Sequence, residues 1–123
     1  MVLFGTFLRT CDNSGARLCK CIKILGNRKQ PGFGRIGDKI VVSVQSARSD
    51  KKIKKHDIHR GVLVRSRMRV LRSNGLIFSS LNNAVILLDK KNNPIGTRLF
   101  GAVSHELRFK RFIRIISMAS SVI

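Results

Sequence analysis

Acidic residues are nearly missing from this sequence. Six Asp and Glu stand against twenty-five Lys and Arg in 123 residues, so most of the positive charge has no counter-charge within the chain. The formal balance of +19 would strain a compact fold by self-repulsion if nothing outside neutralised it. Trp and Tyr are absent, and the basic residues fall in strand-like and loop segments, so a basic amphipathic helix lying on a membrane is not indicated. No apolar run approaches the ~20 residues that span a bilayer. The first seven residues lack the basic n-region and cleavage site of a secretory signal. Cysteine is scarce, and its count of three does not suit a disulfide framework. Cys19 and Cys21 fall two apart in an apolar run and share one strand face. Cys11, His56, His59 and His105 are scattered, with no second ligand pair at metal spacing. The cysteines therefore read as small buried apolar residues, and no metal or cofactor is expected.

What is present is a core. Hydrophobic residues make up 43% of the chain, which excludes a disordered basic tail, and the length suits a single domain over 1–123. The cations run through the whole sequence instead of gathering at one end, as expected of a protein surrounded by a dense polyanion. Nucleic acid is the leading candidate.

Strand signals dominate. Ile40, Val42 and Val44 alternate with Lys39, Ser43 and Gln45, the pattern of a half-buried strand. The stretch 18–25 is apolar on both faces, interrupted by Lys20 and Lys23. A long segment over 58–71 leads into Ser73-Asn74-Gly75, a hairpin turn, and then Leu76-Ile77-Phe78. Residues 84–88 form another apolar strand, closed by a turn over 90–94. Several short strands separated by turns predict a small closed barrel, a mainly β fold. Helix is expected only near the C-terminus, capped by Ser104 with Glu106 in its first turn and Arg108, Lys110 and Arg111 toward its end; a strand over 112–116 is the alternative.

Within the long segment Arg65, Arg67 and Arg69 recur at every second position, so on a continuous strand they form one row suited to phosphate, with Arg72 beyond it. A charge-protected edge strand is the competing explanation. Lys51-Lys52-Ile53-Lys54-Lys55 predicts a phosphate-binding loop rather than a localisation signal. Gly32-Phe33-Gly34-Arg35-Ile36-Gly37 matches G-x-G-x-x-G but leads into a strand, whereas a dinucleotide site needs a helix there. The acids are isolated, several at turns where Asp bonds its own backbone, and no catalytic set emerges. The chain is not expected to be an enzyme.

Asp12-Asn13-Ser14-Gly15-Ala16-Arg17, Cys21-Ile22-Lys23-Ile24-Leu25-Gly26 and Gly37-Asp38 resemble the first half of the universal large-subunit ribosomal protein L-fourteen family. Gly61-Val62-Leu63-Val64-Arg65, Asn74-Gly75, Asn83-Ala84-Val85 and Pro94-Ile95-Gly96-Thr97-Arg98-Leu99-Phe100-Gly101 follow in the family's order, with Glu106-Leu107-Arg108 and Phe112-Ile113-Arg114-Ile115-Ile116-Ser117 after them. The resemblance implies a five-stranded β-barrel with a projecting hairpin ribbon and short C-terminal helices. It also implies a structural role at the subunit-joining face, binding large-subunit rRNA and bridging to small-subunit rRNA. Neighbours resembling the L-three and L-nineteen ribosomal proteins are implied, as is an assembly or silencing factor docking at the C-terminal region, with Thr97, Arg98 and Ser117 the contacts. No homo-oligomer and no membrane are expected.

Candidate rRNA ligands are Arg9, Asn13, Ser14, Arg17, Arg28, Lys29, Arg35, Arg48, Lys51, Lys52, Lys54, Lys55, Arg65, Arg67, Arg69, Arg72, Arg108, Lys110 and Arg111. Ser80 stands where the family usually has an aromatic residue, His56 where it has glycine, and Ala119-Ser120-Ser121 replaces Ala-Pro-Glu. The scarcity of acids favours a mitochondrial ribosome, encoded in the organelle or matured from a precursor, with bacterial cytoplasm and plastid as alternatives. The runner-up function is a free single-stranded RNA-binding barrel, a chaperone or regulator. Such barrels display aromatic stacking platforms, and the seven phenylalanines, several in core-like runs, disfavour it.

Overall fold

A computed structural model describes residues 1–26 and 32–123. Five strands, β1 (Phe7–Thr10), β2 (Ala16–Ile24), β3 (Lys39–Ala47), β4 (Ile58–Arg65) and β7 (Ala84–Leu88), close into a barrel in the order β1-β2-β3-β4-β7. Every pairing is antiparallel except the seam, where β1 runs parallel to β7 with Arg9 opposite Ala84 and Thr10 opposite Val85. A separate two-stranded ribbon, β5 (Val70–Leu71) and β6 (Ile77–Phe78), projects between β4 and β7 in the sequence. Two short helices follow, α1 (Glu106–Phe109) and α2 (Ile113–Met118). The expected mainly β barrel with ribbon and C-terminal helices is the observed architecture.

Strand alternation sorts the apolar residues into two cores. Leu8, Cys19, Cys21, Ile40, Val42, Val44, Leu63, Val85 and Leu87 come from all five barrel strands and share one cluster, the barrel interior. On β4 and β7 the intervening residues are buried as well. Val62, Val64, Ala84, Ile86 and Leu88 face a second cluster with Leu99, Val103, Leu107 and Ile115. The C-terminal segment therefore covers one wall of the barrel, and β7 and the Val62, Leu63 and Val64 part of β4 are apolar on both faces, as strands covered on both sides must be. Gly61 fits this crowding: a Cβ there would meet Val85 Cγ2 at 2.6 Å and Ile86 O at 2.9 Å.

Three details differ from the sequence expectation. The 58–71 segment is not one strand. It breaks after Arg65, where buried Ser66 accepts at Oγ from the Met68 N–H (3.1 Å), Asn83 Oδ1 accepts from the Arg67 N–H (2.9 Å), and Ser66 O accepts from the Ser80 N–H (2.9 Å). Side-chain acceptors thus replace the ladder and turn the backbone. Second, Ser104 does not cap α1. His105 is the N-cap and makes no side-chain cap bond, and the Ser104 hydroxyl instead donates to Glu106 Oε2. The helix ends at a left-handed Arg111 (φ 63°) with Phe112 N–H bonded to Leu107 O and Arg111 N–H to Arg108 O, a Schellman closure that separates α1 from α2. Third, β1 carries no strand signal of its own, being only four residues long.

The two family departures within ordered turns have local accounts. His56 sits at φ 71°, a conformation that costs a non-glycine residue and that glycine adopts freely. Near Ser80 the ribbon is packed by Phe78, which is partly buried against the second core and lies under the Arg72 guanidinium at 4.6 Å.

Candidate nucleic-acid interface

The 10–17 loop is knitted to the 94–101 segment by the Asn13 side chain together with backbone bonds from Asn13 N–H to Arg98 O (3.3 Å) and Phe100 N–H to Cys11 O (2.7 Å). Asn13 Oδ1 accepts from the N–H groups of Thr97 (2.8 Å) and Arg98 (3.1 Å), and its Nδ2 donates to Thr97 Oγ1 (3.0 Å). Beneath it Asp12 is buried. Its Oδ1 accepts from the Ser14 hydroxyl (2.6 Å) and its Oδ2 from Leu87 N–H (3.2 Å). Burial pushes the Asp12 carboxyl above the usual carboxylate range, against the pull of these donors. Ser14 is thus a buried frame residue, and Asn13 positions Thr97 and Arg98. The sequence marks both as RNA ligands, whereas their polar atoms serve the loop. The cations around them remain outside: Arg9, Arg17 and Arg48 are exposed and line one cleft with Asn13 and Phe100. Arg48 N–H bonds Gly15 O at 2.8 Å, which ties the end of β3 to this loop.

The arginine row is broken up by the turn after β4. Arg65 is half-buried, its guanidinium lying where a Cβ on Gly101 would approach Nη1 to 2.3 Å. Arg67 is exposed but donates from Nε to Leu81 O at 2.7 Å, and Arg69 is exposed. Arg72 is bound internally, forking onto Glu106 (2.7 and 3.2 Å) and reaching Ile123 O at 2.8 Å. A single guanidinium face along one strand does not exist, because that geometry required a continuous strand through 69. Burial raises the Glu106 carboxyl, but hydrogen bonds from Arg72 and Ser104 outweigh it and hold Glu106 below the usual range.

Lys51, Lys52, Lys54 and Lys55 are exposed around Ile53, which is buried in the barrel core. One apolar anchor thus presents four ammonium groups. Gly15 (φ 110°) lies so close beneath that a Cβ would meet Lys51 Cβ at 2.4 Å, so this loop packs on the 10–17 loop. Arg108, Lys110 and Arg111 are exposed, with Lys110 Nζ 3.6 Å from Asp38. Thr97 and Arg98 are exposed, and Ser117 is exposed on α2, donating its hydroxyl to Arg114 O at 2.8 Å. Arg35 is exposed, its guanidinium 5.1 Å from the Phe33 ring. Arg28 and Lys29 lie outside the described residues. The glycine motif leads into β3 and no helix follows it. The isolated acids behave as turn residues: Asp38, Asp57 and Asp89 each accept from nearby backbone N–H groups.

Sequence reasoning missed the phenylalanines. None is buried: Phe4, Phe7, Phe100 and Phe109 are exposed, and Phe33, Phe78 and Phe112 are intermediate. Phe7, Phe33, Phe78, Phe100 and Phe112 each have a Lys or Arg within about 6 Å of the ring centre, from 4.6 Å for Arg72 on Phe78 to 6.0 Å for Lys20 on Phe7, the range of a cation–π contact. The core-like runs that hold them are strand edges and turns, and aliphatic residues fill both cores. The signal available in the sequence was the recurrence of Phe within a few residues of a cation, as in Phe33-Gly34-Arg35 and Arg98-Leu99-Phe100.

Across residues 1–123 the chain matches the family model described as ribosomal protein L14p/L23e.

Proposed function

Because the chain belongs to the ribosomal protein L14p/L23e family, structural and non-enzymatic constituents of the large ribosomal subunit that work among rRNA and other ribosomal proteins, we propose that it binds large-subunit rRNA at the subunit interface and helps bridge to small-subunit rRNA. It acts as one unit over 1–123. The observation that carries this is the charge balance: six acids cannot satisfy twenty-five cations, and two of the ion pairs formed, Arg72–Glu106 and Lys110–Asp38, use acids already engaged within the fold. The remaining cations need an external polyanion, and exposed Arg and Lys on several loops suit phosphates on more than one side. Recognition runs mainly through backbone and shape, as for RNA helices generally.

Thr97 and Arg98, presented by Asn13, and Ser117 on α2 are the contacts for the bridge or for a factor that controls subunit joining. Neighbours resembling the L-three and L-nineteen proteins, and a mitochondrial ribosome, complete the proposal. Sedimentation tests it. The tagged chain should travel with large subunits through a sucrose gradient in subunit-preserving salt, and a chain that stays at the top overturns the assignment.

A further inference from the structure

The cleft beside the 10–17 loop sets one exposed aromatic ring among three exposed arginines. Phe100 is 51% exposed, its backbone fixed by the Phe100 N–H bond to Cys11 O at 2.7 Å and its ring held under the Arg98 guanidinium at 5.6 Å. The same ring lines a cleft of about 280 Å³ with Arg9, Arg17 and Arg48. Arg9 is held on β1 opposite Leu18 and Ala84, and Arg48 through its N–H to Gly15 O, while Arg17 stands at the irregularity of β2 between paired Ala16 and Leu18. The one acid in the cleft, Asp12, is 5% exposed, and both its oxygens are taken by Ser14 and Leu87. The cleft therefore presents a fixed aromatic face and three exposed guanidiniums.

We propose that this cleft is a nucleotide site for an unpaired RNA base, stacked on the Phe100 ring while Arg9, Arg17 and Arg48 hold the phosphates on either side. A base offers a π-face to Phe100 whatever its identity, and the guanidiniums supply the charge-assisted bonds that phosphate accepts. An RNA helix cannot use the ring, because its bases are stacked on one another. The cleft is therefore selective for bulged or looped nucleotides. This site deepens the rRNA-binding function proposed above and rests on it.

The test uses the full chain and a hairpin RNA with one bulged nucleotide, alongside the same hairpin with an abasic bulge and a fully paired version. Anisotropy titrations over a range of salt should give Phe100→Leu binding to the bulged hairpin weaker by about 5- to 100-fold, with an unchanged salt slope and no loss on the abasic or paired RNA. Phe100→Tyr should restore the affinity. Arg17→Gln should weaken all three RNAs and flatten the salt slope. Irradiation with 5-iodouridine at the bulge should crosslink Phe100. Equal binding of wild type and Phe100→Leu to the bulged hairpin, or crosslinks that omit Phe100, overturns the stacking site while sedimentation with large subunits leaves the ribosomal role standing. A wild-type chain that neither binds RNA nor sediments with subunits overturns both.

Discussion

Two carboxyl groups respond to pH in opposite directions, and each says what its side chain does. Glu106 is held below its usual value by Arg72 and Ser104 despite burial. Its ionised form therefore adds stability above the ordinary value of 4.5, and that stability is lost as pH falls through the lowered value. Asp12 is raised by burial from 3.8, so its charge costs stability, and the cost appears as pH rises through the raised value. Glu106→Gln should lower stability at pH 7 by about 1 kcal/mol, the size of a partly exposed charged hydrogen bond. The difference from wild type should vanish in denaturant melts once pH falls below the lowered value. A difference that persists there would assign Glu106 a packing role. Burial also pushes Cys11 and Cys19 up to about 12, which keeps them as thiols and fits the sequence expectation that they pack rather than react.

Strands were legible from sequence where one face met water, and their ends were not. Ile40, Val42 and Val44 announced β3 because Lys39 and Ser43 between them are partly exposed. The extent of β4 was overestimated, because what ends it is a Ser66 hydroxyl and an Asn83 carbonyl reaching across from elsewhere, and alternation carries no trace of either. The same blindness hid the closing partner of β1, the internal roles of Asn13 and Arg72, whose partners come from distant sequence, and the Ser14 bond to Asp12 two residues away, which alternation does not register. Two substitutions follow from the elements as observed. Gly61→Ala should destabilise by about 1–3 kcal/mol, since its Cβ meets the Ile86 backbone carbonyl, which cannot swing aside; thermal melts check it, and a neutral result would show that β4 and β7 can slide apart. Arg65 and Arg69 should separate cleanly. Arg65→Gln should lower the melting temperature, being half-buried against the Gly101 turn. Arg69→Gln should leave the melt unchanged and reduce the salt slope of RNA binding by roughly 0.7 to 0.9 for each phosphate it no longer neutralises.

At the scale of the molecule, the +19 charge sets the conditions under which the fold is comfortable. Self-repulsion among exposed cations is screened by salt within about 10 Å at 0.1 M, so the free protein should melt several degrees higher in 0.5 M sodium chloride than in 20 mM, and higher again with an excess of RNA, which binds only the folded surface. A melting temperature indifferent to salt would mean that the cations are already neutralised within the chain. The sequence conveyed this property in full, since counting needs no structure. It could not convey that aliphatic residues and cysteines fill both cores while no phenylalanine is fully buried, because hydrophobicity alone does not say which side of a strand or turn a ring will take.

The parallel seam between β1 and β7 also fixes a schedule. Residues 7–10 find their second neighbour only in residues 84–88, so while a ribosome makes this chain, β1 and β4 both keep a free edge until Ala84 has emerged. At about 5–20 residues per second, β1 waits roughly 4–15 s for it and β4 roughly 1–4 s. Meanwhile Arg9 on β1 and Arg60 and Arg65 on β4 place charge on the open edges, which discourages one nascent chain from pairing with another. The charge that later meets RNA thus serves first as a guard on an unfinished barrel.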